Sequence, residues 1–163
     1  MKLYFAPGAC SLASHIVLRE LGLPFEAVQG DLRSKKTQSG EDYAALNPKG
    51  YVPGLQLDAG RLLSEGPAIL QYLADRKPEA KLAPAAGTFE RYQLQEWLAY
   101  INSEVHKTYS GVFNPAATAE QKEALEAAGI PYRETGPTMY RTLRSSGSVG
   151  ERRLRRQFLD RGR

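Results

Sequence analysis

The 163-residue sequence has a single cysteine and no long apolar run. One cysteine cannot form a disulfide within the chain, and such a low cysteine content fits a reducing compartment. No apolar stretch approaches the roughly 18 residues that a membrane-spanning helix needs. The short apolar start at residues 2–5 is interrupted at once by Pro7 and Gly8, which is atypical of a signal peptide. We therefore expect a cytoplasmic protein without membrane association.

Metal ligands and nucleotide-binding loops are also scarce. Cys10, His15 and His106 do not fall at a metal-ligand spacing, so we expect no metal. Neither a phosphate-binding loop nor a dinucleotide fingerprint is present.

The net positive charge of the chain comes from its end. The net charge is +4, yet residues 1–127 hold 13 basic against 15 acidic side chains. Residues 128–163 hold nine arginines, no lysine and three acidic residues. This arginine-rich end lacks interleaved aromatic residues and any groove-reading motif, so we expect no nucleic-acid partner. Residues 130–163 also lack a sustained apolar period, and we predict an irregular tail there.

The first half of the chain alternates strand and helix signals. A strand at residues 2–5, a helix over 11–21 and a strand over 24–28 predict a βαβ unit. Ser11 is predicted to cap the helix and Gly22 to end it. The predicted apolar face of this helix consists of Ala13, Ile16, Val17 and Leu21.

A second unit of two strands and a helix follows a polar segment. Residues 31–46 predict a loop and a short irregular helix. Strands at 52–57 and 61–64 flank a hairpin loop at 58–60, and Pro67 suits the first turn of the next helix. The order βαβ–ββα is therefore predicted for a domain spanning residues 1–78.

The remainder predicts helices only. A linker is expected over 79–87, followed by a partial all-helical domain over 88–129. Thr118 and Gln121 form a capping box for a helix that ends near Gly129. The predicted buried stripe of the longer, preceding helix consists of Leu94, Trp97, Leu98, Ile101 and Val105.

Cys10 lies where the first helix begins. Unpaired backbone N–H groups and the helix dipole at this position stabilise a thiolate. The alternative is a small buried side chain, because free cysteine is among the most buried residue types.

Three further features of the sequence have both a binding and a structural interpretation. Glu65 and Gly66 open a helix and suit the two charges of a zwitterion, or Glu65 merely caps that helix. If the peptide before Pro53 is cis, the Val52 backbone can pair with a peptide-like ligand; otherwise Pro53 marks an edge strand. Lys35 is either a binding residue or a solvated surface lysine.

From residue 1 to about residue 117 the sequence resembles the bacterial beta-class glutathione transferases. The cysteine at position 10 makes the class assignment specific. The matching stretches are residues 7–11, 47–53, 63–69, 96–98 and 102–107. The resemblance implies a thioredoxin-like domain that binds glutathione, followed by an all-α domain that is incomplete in this chain.

The resemblance also implies roles for particular residues. Cys10 would lie beside the glutathione sulfur and form a mixed disulfide with it, and Lys35 would hold a glutathione carboxylate. Val52 would pair with the cysteinyl backbone before a cis Pro53. Glu65 and Gly66 would bind the γ-glutamyl end.

The helical part would complete this site. Ser103, Glu104, Val105 and His106 would reach toward the sulfur, often across a homodimer interface, with Cys10 and His106 as catalytic residues. The implied function is conjugation of the glutathione thiol to small electrophiles. The alternatives are a glutaredoxin-like thiol–disulfide oxidoreductase and a non-catalytic glutathione-binding protein.

The family resemblance ends before the arginine-rich end of the chain. The hypothesis is that the chain is truncated or frame-shifted near residue 128. The helical part is then expected to be unstable, because the apolar stripe loses part of its packing partners.

Overall fold

The computed structural model describes residues 1–107, 116–124 and 127. The chain divides into two compact units, Met1–Ala85 and Ala86–Arg163. The division falls inside the range 79–87 that the sequence assigns to a linker. The exact domain bounds stay a prediction.

The first unit is a four-stranded mixed sheet with helices. Its elements in chain order are β1 (Lys2–Phe5), α1 (Ser11–Glu20), β2 (Glu26–Gln29), α2 (Tyr43–Leu46), β3 (Gly54–Gln56), β4 (Leu62–Ser64) and α3 (Gly66–Arg76). The strand order is β2-β1-β3-β4, with β1 parallel to β2 and β3 antiparallel to both β1 and β4. The predicted thioredoxin-like βαβ–ββα arrangement is confirmed.

A leucine-rich core covers one face of the sheet. Leu3 of β1 is directly opposite Leu55 of β3, and both are fully buried. Helices α1 and α3 pack against each other and contribute to this same cluster. The buried members are Leu3, Leu18, Leu21, Leu55, Ile69 and Leu73. Burying one such side chain contributes about 1.5–3 kcal/mol, so this layer holds the helices to the sheet.

The opposite face carries a smaller cluster of Tyr4, Tyr43 and Val52. Tyr4 follows Leu3 in β1, and successive strand residues point to opposite faces. The α2 residue Tyr43 stacks on Tyr4 with ring centroids 4.9 Å apart. This second layer therefore connects the sheet to the segment that precedes β3.

The prediction for the start of α1 is wrong, and the prediction for its apolar face is confirmed only in part, since Leu21 is buried and Val17 packs against the core. Cys10 is the N-cap, and Ser11 is the first helical residue. Ser11, Ser14 and Leu18 face the interior, whereas Ala13 is exposed. The Ser11 hydroxyl accepts from the Ala6 N–H at 3.2 Å and donates to the Ala6 carbonyl oxygen at 3.3 Å. A small hydroxyl satisfied by the β1–α1 loop thus takes an interior place that hydrophobicity alone assigns elsewhere.

The bounds of some strands differ by a few residues from those predicted from the sequence. β2 begins at Glu26 instead of 24, and β3 is limited to Gly54–Gln56, so Val52 and Pro53 precede it. The hairpin loop contains a 3-10 turn at Asp58–Gly60. Gly22 has φ of +59°, which confirms it as the residue that ends α1.

The described part of the second unit is helical. Helix α4 (Phe89–Tyr100) is capped by Thr88, whose hydroxyl accepts from the Arg91 N–H at 3.3 Å. A π-helical turn at Ile101–Val105 continues it.

The buried stripe predicted for this helix is only partly formed. Leu94, Trp97, Leu98 and Val105 are half-buried, and Ile101 is exposed. Helical spacing defines which side of a helix is apolar, but burial depends on the elements that cover that side.

A further helical segment covers residues 119–124. The Thr118 N–H donates to Gln121 Oε1 at 2.9 Å, and the Gln121 N–H donates to the Thr118 hydroxyl at 3.2 Å, which confirms the capping box. The predicted helix end near Gly129 and the tail 130–163 lie outside the described residues.

Over the ranges that the structure describes, no helix is long and apolar enough to cross a membrane.

Candidate functional site

The thiol of Cys10 contacts the loop that precedes β3. Cys10 ends the loop after β1 and is the N-cap of α1. Its Sγ donates to the carbonyl oxygen of Val52 at 3.4 Å, and the side chain is exposed to solvent. The fold therefore brings together the thiol and the Val52–Pro53 backbone, which are 42 residues apart in the sequence.

The environment of Cys10 favours the neutral thiol. Desolvation raises the pKa of Cys10 above its ordinary value, and this effect exceeds the opposite influence of the Cys10 and Ser11 backbone N–H groups. The Glu65 carboxylate raises the pKa further by Coulomb repulsion of the thiolate. The N–H groups at the helix start therefore act in the expected direction, but desolvation and the nearby negative charge outweigh them.

The Val52–Pro53 peptide is cis, as one of the two sequence interpretations required. Val52 is buried, and its carbonyl oxygen faces Cys10. Among the described residues no group accepts a hydrogen bond from the Val52 N–H. The backbone at Val52 thus retains a donor for an additional partner.

Lys35 is held against the same loop instead of extending into solvent. Its backbone has φ of +57°, its Nζ donates to the Gly50 carbonyl oxygen at 3.0 Å, and its ammonium lies 5.5 Å from the Tyr51 ring centroid. The Lys35 N–H donates to the Asp31 carbonyl oxygen at 2.9 Å. The interpretation as a freely solvated lysine is wrong, because backbone and side-chain contacts both fix this residue.

Glu65 and Gly66 lie at the start of α3. Glu65 has φ of +70° and is the N-cap, but its side chain makes no capping hydrogen bond. Its Oε1 is instead 2.8 Å from Nζ of Lys49. The interpretation that Glu65 only caps its helix is therefore wrong, and the carboxylate is directed toward the loop before β3.

The remaining predicted residues belong to the second unit. Ser103, Glu104 and Val105 are in the π-helical turn, and His106 follows it. Ser103, Glu104 and His106 are exposed, whereas Val105 is half-buried. The first unit thus brings Cys10 and Val52 into contact, while these four residues share one turn of a separate unit. Their roles stay predictions.

Sequence reasoning missed two residues of this region. The sequence gives Lys49 no role of its own, although its Nζ pairs with Glu65. Tyr43 was assigned to an irregular helix, although its hydroxyl donates to the Tyr51 carbonyl oxygen at 2.8 Å. Tyr43 is the one aromatic residue in the polar segment 31–46, and that isolation was the available signal.

Across the described residues no group of three or more histidine, cysteine or acidic side chains is arranged to hold a metal ion.

The mixed sheet, the cysteine at the start of the first helix and the cis-proline loop beside it place this chain among the thioredoxin-like proteins with a thiol site. The family described as "Glutathione S-transferase, N-terminal domain" matches residues 8–76. The chain belongs to the glutathione S-transferase family. The family resemblance seen in the sequence is confirmed.

Individual relatives support this assignment. "Glutathione S-transferase GstA" of Escherichia coli O157:H7 is 50% identical over 127 residues, covering 78% of this chain and 63% of the relative. A bacterial beta-class glutathione S-transferase structure from Sphingomonas chungbukensis has 49% identity and a TM-score of 0.79. A sphingomonad glutathione S-transferase complexed with glutathione has 49% identity and a TM-score of 0.78. Both comparisons cover 81% of this chain and 66% of the solved chain. The chain therefore spans just under two thirds of these relatives.

Proposed function

We propose that this chain binds glutathione in its first unit and transfers the glutathione sulfur to small electrophiles. The observation that carries the proposal is the contact between Cys10 Sγ and the Val52 carbonyl oxygen. It places a thiol beside a backbone that has an unused N–H donor. The sphingomonad relative in complex with glutathione supports the same ligand class.

The surrounding groups match the functional groups of glutathione. The Val52 N–H and carbonyl would pair with the cysteinyl backbone of the tripeptide. The Lys35 ammonium would hold one carboxylate of the ligand. The Glu65 carboxylate would take the γ-glutamyl ammonium, and the α3 start at Gly66 would take its carboxylate.

In the conjugation reaction the glutathione thiolate attacks an electrophilic carbon. A carbon–sulfur bond forms, and the leaving group departs with the electron pair of its bond. Cys10 is not consumed. Because its raised pKa keeps it protonated at neutral pH, its S–H would donate a hydrogen bond toward the glutathione sulfur.

Thiol–disulfide exchange is the second candidate, and the solvent exposure of Cys10 favours it. The thiolate fraction of Cys10 would attack one sulfur of glutathione disulfide. The new protein–glutathione disulfide forms as the old bond breaks, and one glutathione thiolate leaves. Exchange would rise with pH, since only the deprotonated sulfur attacks.

Cys10→Ala separates these two activities. We expect the substitution to abolish reduction of a glutathione mixed disulfide and to leave conjugation largely intact. Ser14→Ala is the control, because it removes a small polar side chain from the same helix without touching the thiol. Loss of conjugation in Cys10→Ala alone would instead give Cys10 an essential part in transfer.

Two further parts of the proposal concern partners. A small electrophile is the proposed second substrate, and a homodimer is the proposed assembly, with Ser103, Glu104, Val105 and His106 contributing near the sulfur. Sedimentation of the full chain with and without glutathione tests the assembly. The cytoplasmic location stays a prediction that cell fractionation tests.

Retention on immobilised glutathione, followed by a conjugation assay with 1-chloro-2,4-dinitrobenzene, tests the whole proposal. We expect the chain to be retained, to elute with free glutathione and to form the coloured conjugate. Glu65→Gln should elute earlier, whereas Glu20→Gln, at the far end of α1, should match the unmodified chain. Retention without turnover would support a non-catalytic glutathione-binding protein, and absence of retention would contradict the proposal.

A further inference from the structure

Tyr43 contacts several segments beside the proposed glutathione site. The residue is buried, and its ring stacks on Tyr4. Its hydroxyl donates to the Tyr51 carbonyl oxygen at 2.8 Å and accepts from Asn47 Nδ2 at 3.2 Å. Asn47 Nδ2 also donates to the Tyr51 carbonyl oxygen at 2.9 Å. One carbonyl is therefore held by two donors.

That carbonyl belongs to the peptide that joins Tyr51 to Val52. The Tyr51 carbonyl carbon and the Val52 nitrogen share one rigid amide plane. Fixing the direction of the Tyr51 carbonyl therefore also fixes the direction of the Val52 N–H. This N–H is the donor assigned above to the cysteinyl backbone.

The same residue also fixes the loop that carries Lys35. The Tyr43 N–H donates to the Lys35 carbonyl oxygen at 2.9 Å, while the Lys35 Nζ donates to the Gly50 carbonyl oxygen at 3.0 Å. Tyr43 thus connects the two segments that are assigned to two different parts of the ligand.

The fold provides a fitted space for the phenol. A Cβ built on Gly54 would lie 2.5 Å from the Tyr43 hydroxyl oxygen, so a side chain at that position would displace the hydroxyl. Burial raises the pKa of Tyr43 above its ordinary value, and the hydroxyl stays protonated as a donor at neutral pH.

We propose that Tyr43, together with Asn47, is a positioning residue that orients the Val52 N–H for glutathione. The inference rests on the proposed function, because it assigns the Val52 N–H to that ligand. Tyr43 does not touch the reacting sulfur; it acts through the Tyr51–Val52 peptide.

Tyr43→Phe in the full chain tests the inference, with Tyr4→Phe as the matched control. Each variant deletes one phenol hydroxyl from the same buried cluster, and the Tyr4 hydroxyl donates to Gln56 Oε1 at 3.1 Å, its one partner within the described part of the chain. Calorimetry gives the Kd for glutathione at a temperature where circular dichroism shows both variants folded. Hydrogen-exchange mass spectrometry follows the peptide that contains residues 47–53.

We expect Tyr43→Phe to raise the Kd for glutathione about three- to tenfold, the effect of one lost hydrogen bond. Exchange in 47–53 should accelerate, and the KM for glutathione should rise while the KM for the electrophile is unchanged. Tyr4→Phe should change the Kd by less than about twofold at a similar loss of stability. Equal behaviour of the two variants in Kd and exchange would overturn the inference, since a purely structural role predicts it.

Asn47→Asp provides an independent second variant. It replaces the Nδ2 donor with an oxygen that repels the Tyr51 carbonyl, so weaker binding and faster exchange are again expected. If the unmodified chain does not bind glutathione, the proposed function fails. The exchange comparison still decides whether Tyr43 holds this peptide, so the two failures are distinguishable.

Discussion

Nζ of Lys49 lies 2.8 Å from Oε1 of Glu65, which joins the loop before β3 to the start of α3. Both side chains are about half-exposed. Exposed ion pairs contribute roughly 0–1 kcal/mol to folding, so this pair matters less for stability than for the direction of the Glu65 carboxylate. That carboxylate is also one of the groups that raise the pKa of Cys10.

Neutralising Glu65 should make Cys10 more reactive. In Glu65→Gln the negative charge that opposes the thiolate is removed, and Lys49 loses the partner that compensates its own charge. Both changes lower the pKa of Cys10, so alkylation by iodoacetamide at neutral pH should accelerate about two- to fivefold. The rate as a function of pH measures the shift.

Glu20→Gln is the control for this experiment, because it makes the same change at the other end of α1. An unchanged or higher Cys10 pKa in Glu65→Gln would show that the Glu65 charge does not influence the thiol.

Gly50→Ala should displace Lys35. Gly50 has φ of +62°, and an added Cβ would lie 2.9 Å from Lys35 Cδ. The variant combines a backbone penalty of about 1–2 kcal/mol with a steric conflict that moves the ammonium from the Gly50 carbonyl. Its affinity for glutathione, measured by calorimetry, should fall about tenfold if Lys35 supplies one charge-assisted hydrogen bond.

Gly22→Ala separates the two effects of the Gly50 substitution. Gly22 has φ of +59°, and an added Cβ there meets nothing within 4 Å. It should therefore lose a similar free energy of unfolding and keep its glutathione affinity. Equal affinity losses in both variants would indicate that general destabilisation, and not displacement of Lys35, causes the effect.

Leu73→Ala should strongly destabilise the first unit. Leu73 is fully buried in the leucine-rich core beneath α1 and α3. Truncating such a side chain costs about 2–5 kcal/mol, because it removes apolar burial and leaves a cavity. Leu12→Ala, at a position that is 60% exposed, should stay within about 0.5 kcal/mol. Urea unfolding followed by circular dichroism compares the two, and equal midpoints would contradict the core assignment.

Asp31 should make the folding stability depend on pH, because its carboxylate holds the loop that carries Lys35. The N–H groups of Arg33 and Ser34 donate to Asp31 Oδ1 at 2.7 Å and 3.3 Å and lower the pKa of this carboxyl. A lowered folded-state pKa gives stability that is present above the unfolded value, about 3.9, and is lost as pH falls through the folded value.

Asp31→Ala removes this contribution. The difference in Tm between the unmodified chain and the variant should therefore be constant near neutral pH and shrink below about pH 4. Thermal unfolding at several pH values measures it. A difference that persists at the lowest pH would mean that the charge of Asp31 does not carry the effect.

Strand and helix order could be predicted because local signals agreed with each other. Lys2–Phe5 is apolar and ends at Pro7 and Gly8, and Pro67 occupies the first turn of α3. The buried face of α1 could be predicted only in part: Leu21 is buried as expected, but Ser11 and Ser14 are interior positions as well. Ser11 is satisfied by the backbone of Ala6, which is a tertiary contact that hydrophobic spacing does not encode.

The candidate site was predictable as a set of positions but not as a set of interactions. Motif residues identified Cys10 and Glu65, yet the sign of the thiol pKa shift depends on burial and on the distance between these two residues. Likewise, Lys35 in a polar loop looks solvated until the fold places the Gly50 carbonyl beside it. The direction of the Cys10 pKa shift and the contacts of Lys35 therefore depend on which distant residues the fold brings near them, and not on residue type.

Successive side chains of β1 point to opposite faces of the sheet, and this limits how the length of the strand can change. Leu3 belongs to the leucine-rich core, and its neighbour Tyr4 belongs to the opposite cluster, which includes Tyr43 and Val52. With the β1–α1 loop held in place, inserting or deleting one residue directly after Tyr4 in β1 would exchange the two layers, placing a phenol among leucines and removing the ring beneath Tyr43. The length of β1 is therefore constrained by both layers at once.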